Sequence, residues 1–266
     1  MDFDLSKPQR LLKDSARELL ARQCKPERVR ALMESETADD DQLWRAIADQ
    51  GWTGLIIPEE HGGLGLGLLE MAVVSEEIGR ACLPGAFLST LFSTALIVRA
   101  GSPKQKANYL EAIAAGELKS TVAQLEANAS WDPGAIKLHA ERDNGNFSLS
   151  GRKLFVPDAA LADFMICVVR YGENHLLLPV KRGTDGLQTK PMPSMDATRK
   201  IYEVTFDGVS VSDTEALGAD GDAHGALRQA IQVATVALCA EMVGGMQWIL
   251  DTTVEYAKTR QQFGRH

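Results

Sequence analysis

The sequence is short of most features that sort a chain quickly into a class. Basic residues are in deficit: 28 Lys and Arg stand against 36 Asp and Glu, a net charge of −8. A surface of that sign is a poor match for a nucleic-acid backbone or an anionic membrane, and neither is expected as a partner. Cysteine is scarce, and Cys24, Cys82, Cys167 and Cys239 form no CxxC pair. Four reduced thiols and a cytoplasmic setting are expected. The five histidines, His61, His139, His175, His224 and His266, show no metal-ligand spacing and no HExxH occurs, so no metal site is expected. The opening MDFDLSKPQR is acidic and has no apolar core, which argues against a signal peptide. The most apolar run, residues 86–98, is short and contains Ser89, Thr90, Ser93 and Thr94; it reads as a buried helix rather than a membrane span. Repeats and low-complexity stretches are absent.

What is present changes texture twice. Up to about residue 117 the period is helical. Leu11, Leu12, Ala16, Leu19 and Leu20 make one stripe, and Asp39, Asp40 and Asp41 stand ahead of Leu43, Trp44 and Ile47, where acidic groups suit a helix start. In GSPKQ, Gly101 ends one helix, Ser102 caps the next, Pro103 takes the first helical position and Gln105 completes a capping box. From about Lys119 the period becomes two. IKLHAERDNGNFSLSG reads as two strands joined at Asp143-Asn144-Gly145, and FMICVVRY, NHLLLPV and IYEVTFDGVSV follow. This predicts a middle antiparallel β-barrel or sandwich. From Asp222 to Thr259 no proline occurs, and a helix of roughly 57 Å is predicted. It carries one apolar stripe through Leu227, Ile231, Ala234, Leu238, Met242, Met246 and Ile249, and a second through Val233, Val236, Ala240, Val243, Leu250, Val254 and Ala257. Two stripes predict burial on two sides, and Gly244-Gly245 would admit a close neighbour. The fold class is thus α+β: a helical domain (1–118), a β domain (119–221) and the first long helix of a C-terminal bundle (222–266). With so little sequence left to cover that helix, a large apolar surface is expected to stay exposed.

Few motifs carry chemistry. GGLGLG (residues 62–67) lacks GxGxxG spacing and a βαβ context, and reads as a tight structural loop. HGG at His61 has no GxSxG elbow to serve. Glu59-Glu60 and Glu76-Glu77 are sequence neighbours, which do not face one another on a helix. No general base stands out. Arg260 and Phe263, three apart on an expected helix, offer a guanidinium for a phosphate and a ring for stacking, or else a helix C-terminal cap; spacing alone leaves both open.

GWTGLIIPEEHGGLGLG, EEIGRA, GSPKQKANYLEAIAAGEL and YAKTRQQFG, in this order, resemble the acyl-CoA dehydrogenase family over the whole chain. The resemblance implies a helical domain, a β domain and a helical bundle that continues past the FG motif, so a C-terminally truncated chain is expected. It implies α,β-dehydrogenation of an acyl-CoA thioester, in which a carboxylate takes the α-proton and FAD takes the β-hydride. The usual glutamate would lie beyond His266, and the alternative position early in the long helix matches Ala234, so no catalytic residue is assigned. The flavin stretch corresponds to LEANASWDP and GRKLFVPDA, which assigns Gln124, Leu125, Trp131, Phe155 and Val156 to the cofactor. Arg260 and Phe263 would reach the FAD of a neighbouring subunit. Leu125, Trp131, Phe155 and Pro157 depart from the family pattern, and Pro157 has no N–H to offer. The FVPDA and WDP stretches resemble a branch with heteromeric enzymes acting on bulky thioesters, steroid side-chain types among them. A homo- or hetero-oligomer of tetramer type, with an electron-transferring flavoprotein as acceptor, is expected. The alternatives are a non-catalytic partner subunit and a related flavin oxidase or monooxygenase.

Overall fold

A computed structural model describes residues 4–218 and 222–265. Six helices come first: α1 (Lys7–Gln23), α2 (Pro26–Glu34), α3 (Asp41–Asp49), α4 (Leu68–Ala81), α5 (Phe87–Ala100) and α6 (Pro103–Ala114). Their ends follow local chemistry. Asp40 caps α3 by accepting the Leu43 N–H at 3.0 Å, and Gly51 leaves the helix at φ +75°. Ser102 and Gln105 form the expected reciprocal box at α6. The Gln105 amide also donates to the Glu215 carbonyl at 3.0 Å, so one side chain caps a helix and ties it to the β region. Helix α5 is buried almost all round, as the apolar run predicts. Its hydroxyls remain satisfied: Thr94 donates to the Thr90 carbonyl and Thr90 to that of Ser120.

The glycine-rich loop is structural. The amides of Leu64, Gly65 and Leu66 donate to the carbonyls of Gly54, Ile57 and Leu55 at 2.9, 2.8 and 2.8 Å. A Cβ on Gly63 would lie 2.0 Å from the Ile57 carbonyl oxygen, so only glycine lets these strands of loop meet.

Seven strands follow: β1 (Ser120–Ala123), β2 (Ala140–Asp143), β3 (Asn146–Pro157), β4 (Phe164–Tyr171), β5 (Asn174–Lys181), β6 (Leu187–Met192) and β7 (Ile201–Ser212). The β2–β3 turn has Asn144 at φ +46° and Gly145 at +79°, the twist a two-residue hairpin requires. The predicted antiparallel barrel or sandwich is overturned. Two open sheets form, β1-β4-β5 and β2-β3-β7-β6, and β1 runs parallel to β4. Among the described residues a single isolated bridge, His139 with Arg170, joins the strand edges of the two sheets. One bridge cannot supply the continuous ladder that closes a barrel. Strand β1 gave no alternating signal because all four of its residues are buried, and β6 gave none because its middle is exposed.

Helix α7 (Ala223–Thr259) has 37 residues. It crosses α4 at near backbone contact: a Cβ on Gly79 would sit 1.9 Å from the Glu241 carbonyl oxygen, and one on Gly244 would sit 1.8 Å from that of Glu76. The face it buries is not the pair of predicted stripes. Ala223, Ala226, Leu227, Ala230, Ala237, Glu241 and Gly244 are inside. Leu238, Met242, Met246 and Ile249 of the first stripe, and Val236, Val243, Leu250 and Val254 of the second, are exposed. Close approach of two helices selects the row of small side chains, and the bulky rows flank it. The expected exposed apolar surface is therefore there. By length and composition α7 is also apolar enough to cross a membrane, with only 17% of its most apolar window buried.

Candidate functional site

The end of β1 runs on into Gln124, Leu125 and Glu126, and this segment is clipped to β3. Lys153 points inward and its side chain is completely buried. Its Nζ donates to the Gln124 carbonyl at 3.1 Å and to Glu126 Oε1 at 2.8 Å. Glu126 also accepts the amides of Leu138 and Lys137, both at 2.9 Å, and the Leu154 amide donates to the Leu125 carbonyl at 2.8 Å. Burial pushes the Glu126 carboxyl up, but Lys153 and the two amides outweigh it and hold the group below its usual range. A buried pair with this many hydrogen bonds offsets its desolvation and fixes two segments in register.

Just beyond the clip the β3–β7 register shifts between Lys153 and Val156. Phe155 takes φ +55° there, a strained conformation costing about 1–3 kcal/mol for a non-glycine residue. The bulge turns its ring outward, 38% exposed, while Val156 stays buried opposite Tyr202. The Pro157 carbonyl accepts the Thr121 hydroxyl at 2.6 Å, and the Asp158 amide donates to the Lys200 carbonyl at 2.8 Å. The loop carrying Trp131 is tied to the same place, since the Gln124 amide donates to the Trp131 carbonyl at 3.2 Å. Trp131 is exposed; Gln124 and Leu125 are buried, and Gln124 Oε1 has no partner. The structure thus gathers Gln124, Leu125, Trp131, Phe155 and Val156, with two aromatic rings facing outward and the remaining side chains turned in.

Arg260 and Phe263 lie elsewhere, at the far end of α7, and they do not share a helix face. The helix stops at Thr259. Gln262 and Arg265 exchange two backbone hydrogen bonds across Phe263 (φ +53°) and Gly264 (φ +75°), a tight turn of the hairpin kind. The Phe-Gly pair favours that turn over continued helix, and the Phe263 ring is fully exposed.

A second cluster lies behind the bulge. Asp158 is 1% exposed, and its Oδ2 accepts the Ser89 hydroxyl of α5 at 2.7 Å. Arg199, just before β7, pairs with Glu241 of α7, which is 6% exposed. Burial pushes Asp158 up and Glu241 up to about 7, against the pull of Arg199. Sequence reading missed Lys153, Asp158, Arg199 and Glu241. The one available signal was a lysine at an inward position of an alternating strand. A cleft of about 680 Å³ opens on the other side of the Trp131 loop, lined by Arg142, Arg170, His175 and His224 among others. His175 meets the Pro133 carbonyl at 2.8 Å, and burial holds its imidazole below its usual pKa. Among the described residues no three His, Cys, Asp or Glu are grouped to hold a metal.

Residues 6–117 match the family description "Acyl-CoA dehydrogenase, N-terminal domain" and residues 224–266 match "Acyl-CoA dehydrogenase, C-terminal domain". A solved structure described as the Tcur3481-Tcur3483 steroid ACAD superposes with a TM-score of 0.86 at 30% identity, over 97% of this chain and 69% of that one. The chain belongs to the acyl-CoA dehydrogenase family. The (2S)-methylsuccinyl-CoA dehydrogenase of Cereibacter sphaeroides is 32% identical over 84% of this chain and 44% of its own length. The FAD complex of PigA superposes with a TM-score of 0.90 at 25% identity, over all of this chain and 72% of that one. The chain spans about half the length of the curated dehydrogenases it matches first, from 44% to 58%.

Proposed function

We propose that this chain forms the helical, β and first-bundle-helix parts of a FAD-dependent oxidoreductase that dehydrogenates an acyl-CoA thioester. The observation that carries the reading is the Lys153–Glu126–Gln124 clip beside the Phe155 bulge. It holds the 124–126 segment and the 153–157 segment as one platform and presents Phe155 and Trp131 outward. The orphaned Gln124 oxygen and the two displayed rings fit a planar, hydrogen-bonding flavin. When bound, FAD supplies the hydride acceptor for oxidation of a CH–CH unit.

The chain's own contribution is to bind and orient. Phe155 offers a stacking face. Pro157 has no amide hydrogen, so the contact this position could make to the cofactor passes to the side chains and backbone around it. The cleft next to the Trp131 loop is lined by Arg142, Arg170, His175 and His224 and also by Glu173 and Asp213; with Arg142 paired to Asp213, Arg170 is the group we assign to the phosphate-rich end of a CoA thioester. Ala234, on the partly buried face of α7, offers no proton acceptor, and we assign no base among the residues of this chain. We assign Arg260 and Phe263, beside an exposed turn, to a second subunit's cofactor.

The deciding experiment is a FAD titration of the purified protein followed by flavin absorbance. Phe155→Ala should weaken binding about tenfold, the loss of roughly 1.4 kcal/mol of stacking. Unchanged affinity, or no saturable binding by the parent chain, overturns the assignment. A second reading, a partner subunit that lends part of a flavin site, is favoured by Leu125 and Pro157 and by the bare apolar face of α7. Stable flavin retention by the protein on its own would eliminate it.

A further inference from the structure

Directly behind the flavin-facing turn lie two buried carboxyls, one of them paired with a cation. Asp158 follows Pro157 in the chain, and Glu241 comes from α7. Arg199 pairs with Glu241 and also acts electrostatically on Asp158. Three buried atoms around this point have no hydrogen-bond partner: Asp158 Oδ1, Glu241 Oε1 and the Tyr202 hydroxyl. The other groups that bear on the cluster come from every element around it. Asp196 approaches from the loop before β7, Asp39 from the stretch before α3, and Ser89 from α5. Glu36 acts on Tyr202, and the Cys82 thiol at the end of α4 feels both Asp196 and Arg199. Two cations face these groups: Arg199 pairs with Glu241, and Lys119 pairs with Asp39 at 2.5 Å.

With both carboxyls ionised, this water-excluded place would hold a net negative charge, and Asp196 would add to it, whereas Lys119 offsets Asp39. Taking up one proton brings the two carboxyls and the guanidinium to neutrality. It also turns one carboxyl oxygen from an acceptor into an O–H donor, which these unpartnered acceptors lack. Neither carboxyl owns that proton; the pair titrates as a unit.

We propose that Asp158 and Glu241 hold one proton between them beside Arg199, and that this shared proton latches α7 to the turn at the end of β3, so that the seating of the turn depends on pH. The mechanical link is short. Lys200, next to Arg199, accepts the Asp158 amide, and Glu241 sits where α7 touches Gly79 of α4. The affinity for the proton has the right sign. Burial first of all raises Glu241 to about 7 from an ordinary 4.5. A folded value above the unfolded one contributes stability that is complete below pH 4.5 and is lost as pH rises toward about 7. His175, depressed by burial, contributes in the opposite direction near its usual value, so the comparison must be between wild type and variants.

The test uses wild type, Glu241→Gln and Asp158→Asn from pH 5 to 8. Urea unfolding gives the folding constant, infrared spectroscopy reads the C=O stretch of a protonated carboxyl, and amide hydrogen exchange reads the Asp158 N–H. The wild-type folding constant should fall relative to Glu241→Gln, by up to about tenfold per pH unit. The protonated-carboxyl band should be present in wild type at pH 6 and lost in both variants. Protection of the Asp158 amide should decline toward pH 8 in wild type but not in Glu241→Gln. If Glu241→Gln does not fold, Asp158→Asn and the wild-type band decide. Parallel pH profiles without a band, or a band that survives in either variant, overturn the shared proton. Unchanged amide protection overturns the latch. The description of the turn as flavin-facing rests on the function proposed above, but none of these measurements uses flavin, so failure of one reading is distinguishable from failure of the other.

Discussion

Gly244 and Gly245 are neighbours on α7, and alanine should act on them with opposite signs. In a helix interior, Gly→Ala alone is favourable by about 0.8–1 kcal/mol. At Gly245 the nearest atom to an added Cβ is the Gly79 carbonyl oxygen at 3.6 Å, an ordinary contact. Gly245→Ala should therefore be neutral or stabilising by nearly the full propensity gain. At Gly244 the new methyl would lie 1.8 Å from the Glu76 carbonyl oxygen and 2.8 Å from the Arg80 nitrogen. Both are backbone atoms of α4, so no side chain can swing away. Restoring a van der Waals separation parts the helices by roughly 1.5 Å, and a gap of that size forfeits much of the dispersion along the crossing. Overpacking of this kind costs about 3 kcal/mol, the upper end of the usual range. The net loss is about 2 kcal/mol, or a Tm lower by roughly 4–8 °C for a chain of this size. Thermal unfolding of the two variants side by side provides the assay. Equal stability, or Gly244→Ala the more stable, would refute the claim that backbone contact at this crossing holds α7 on α4.

Two further perturbations separate the site from the scaffold. Lys153→Met should cost about 3 kcal/mol or more, because it leaves Glu126 in a half-satisfied buried site; FAD affinity should fall with it, whereas an unchanged urea midpoint would mean the clip carries no load. Asp40→Asn keeps the cap on the Leu43 amide but removes the pair with Arg28, whose Nε lies 2.5 Å from Asp40 Oδ2. Arg28 holds the Asp40 carboxyl below its ordinary 3.8, so its contribution is present above that value and lost as pH falls through the depressed one. The variant should lose about 1 kcal/mol at neutral pH and unfold less steeply in acid, as followed by circular dichroism; identical acid profiles would contradict the pairing.

Some of this could be read directly from the chain, because the physics was local. A capping box needs only Ser102, Pro103 and Gln105 within one turn, and Asn144-Gly145 makes its hairpin without help from afar. The family resemblance likewise rested on contiguous motifs, and it named the segments around Gln124 and Phe155 that the fold then gathered. Where each side chain turned was another matter. Phe155 is displayed only because the β3–β7 ladder bulges beside it, and Arg260 and Phe263 part company because a tight turn replaced the last helical step.

Residue spacing thus determined the helical character of the N-terminal region, the capped start of α6, the β2–β3 hairpin and the apolar character of α7. Tertiary structure decided the rest. It left the sheets open, since a parallel β1–β4 pair carries no alternating signature when both faces are buried. It chose which face of α7 to cover, because close approach favours Ala237 and Gly244 over the bulkier residues flanking them. It brought Lys153 to Glu126, and Arg199 to Glu241, across 27 and 42 residues of chain. Local periodicity reports the propensity of a segment. It carries no information on which buried charge will meet which, because that pairing is settled only when separate segments exclude water together.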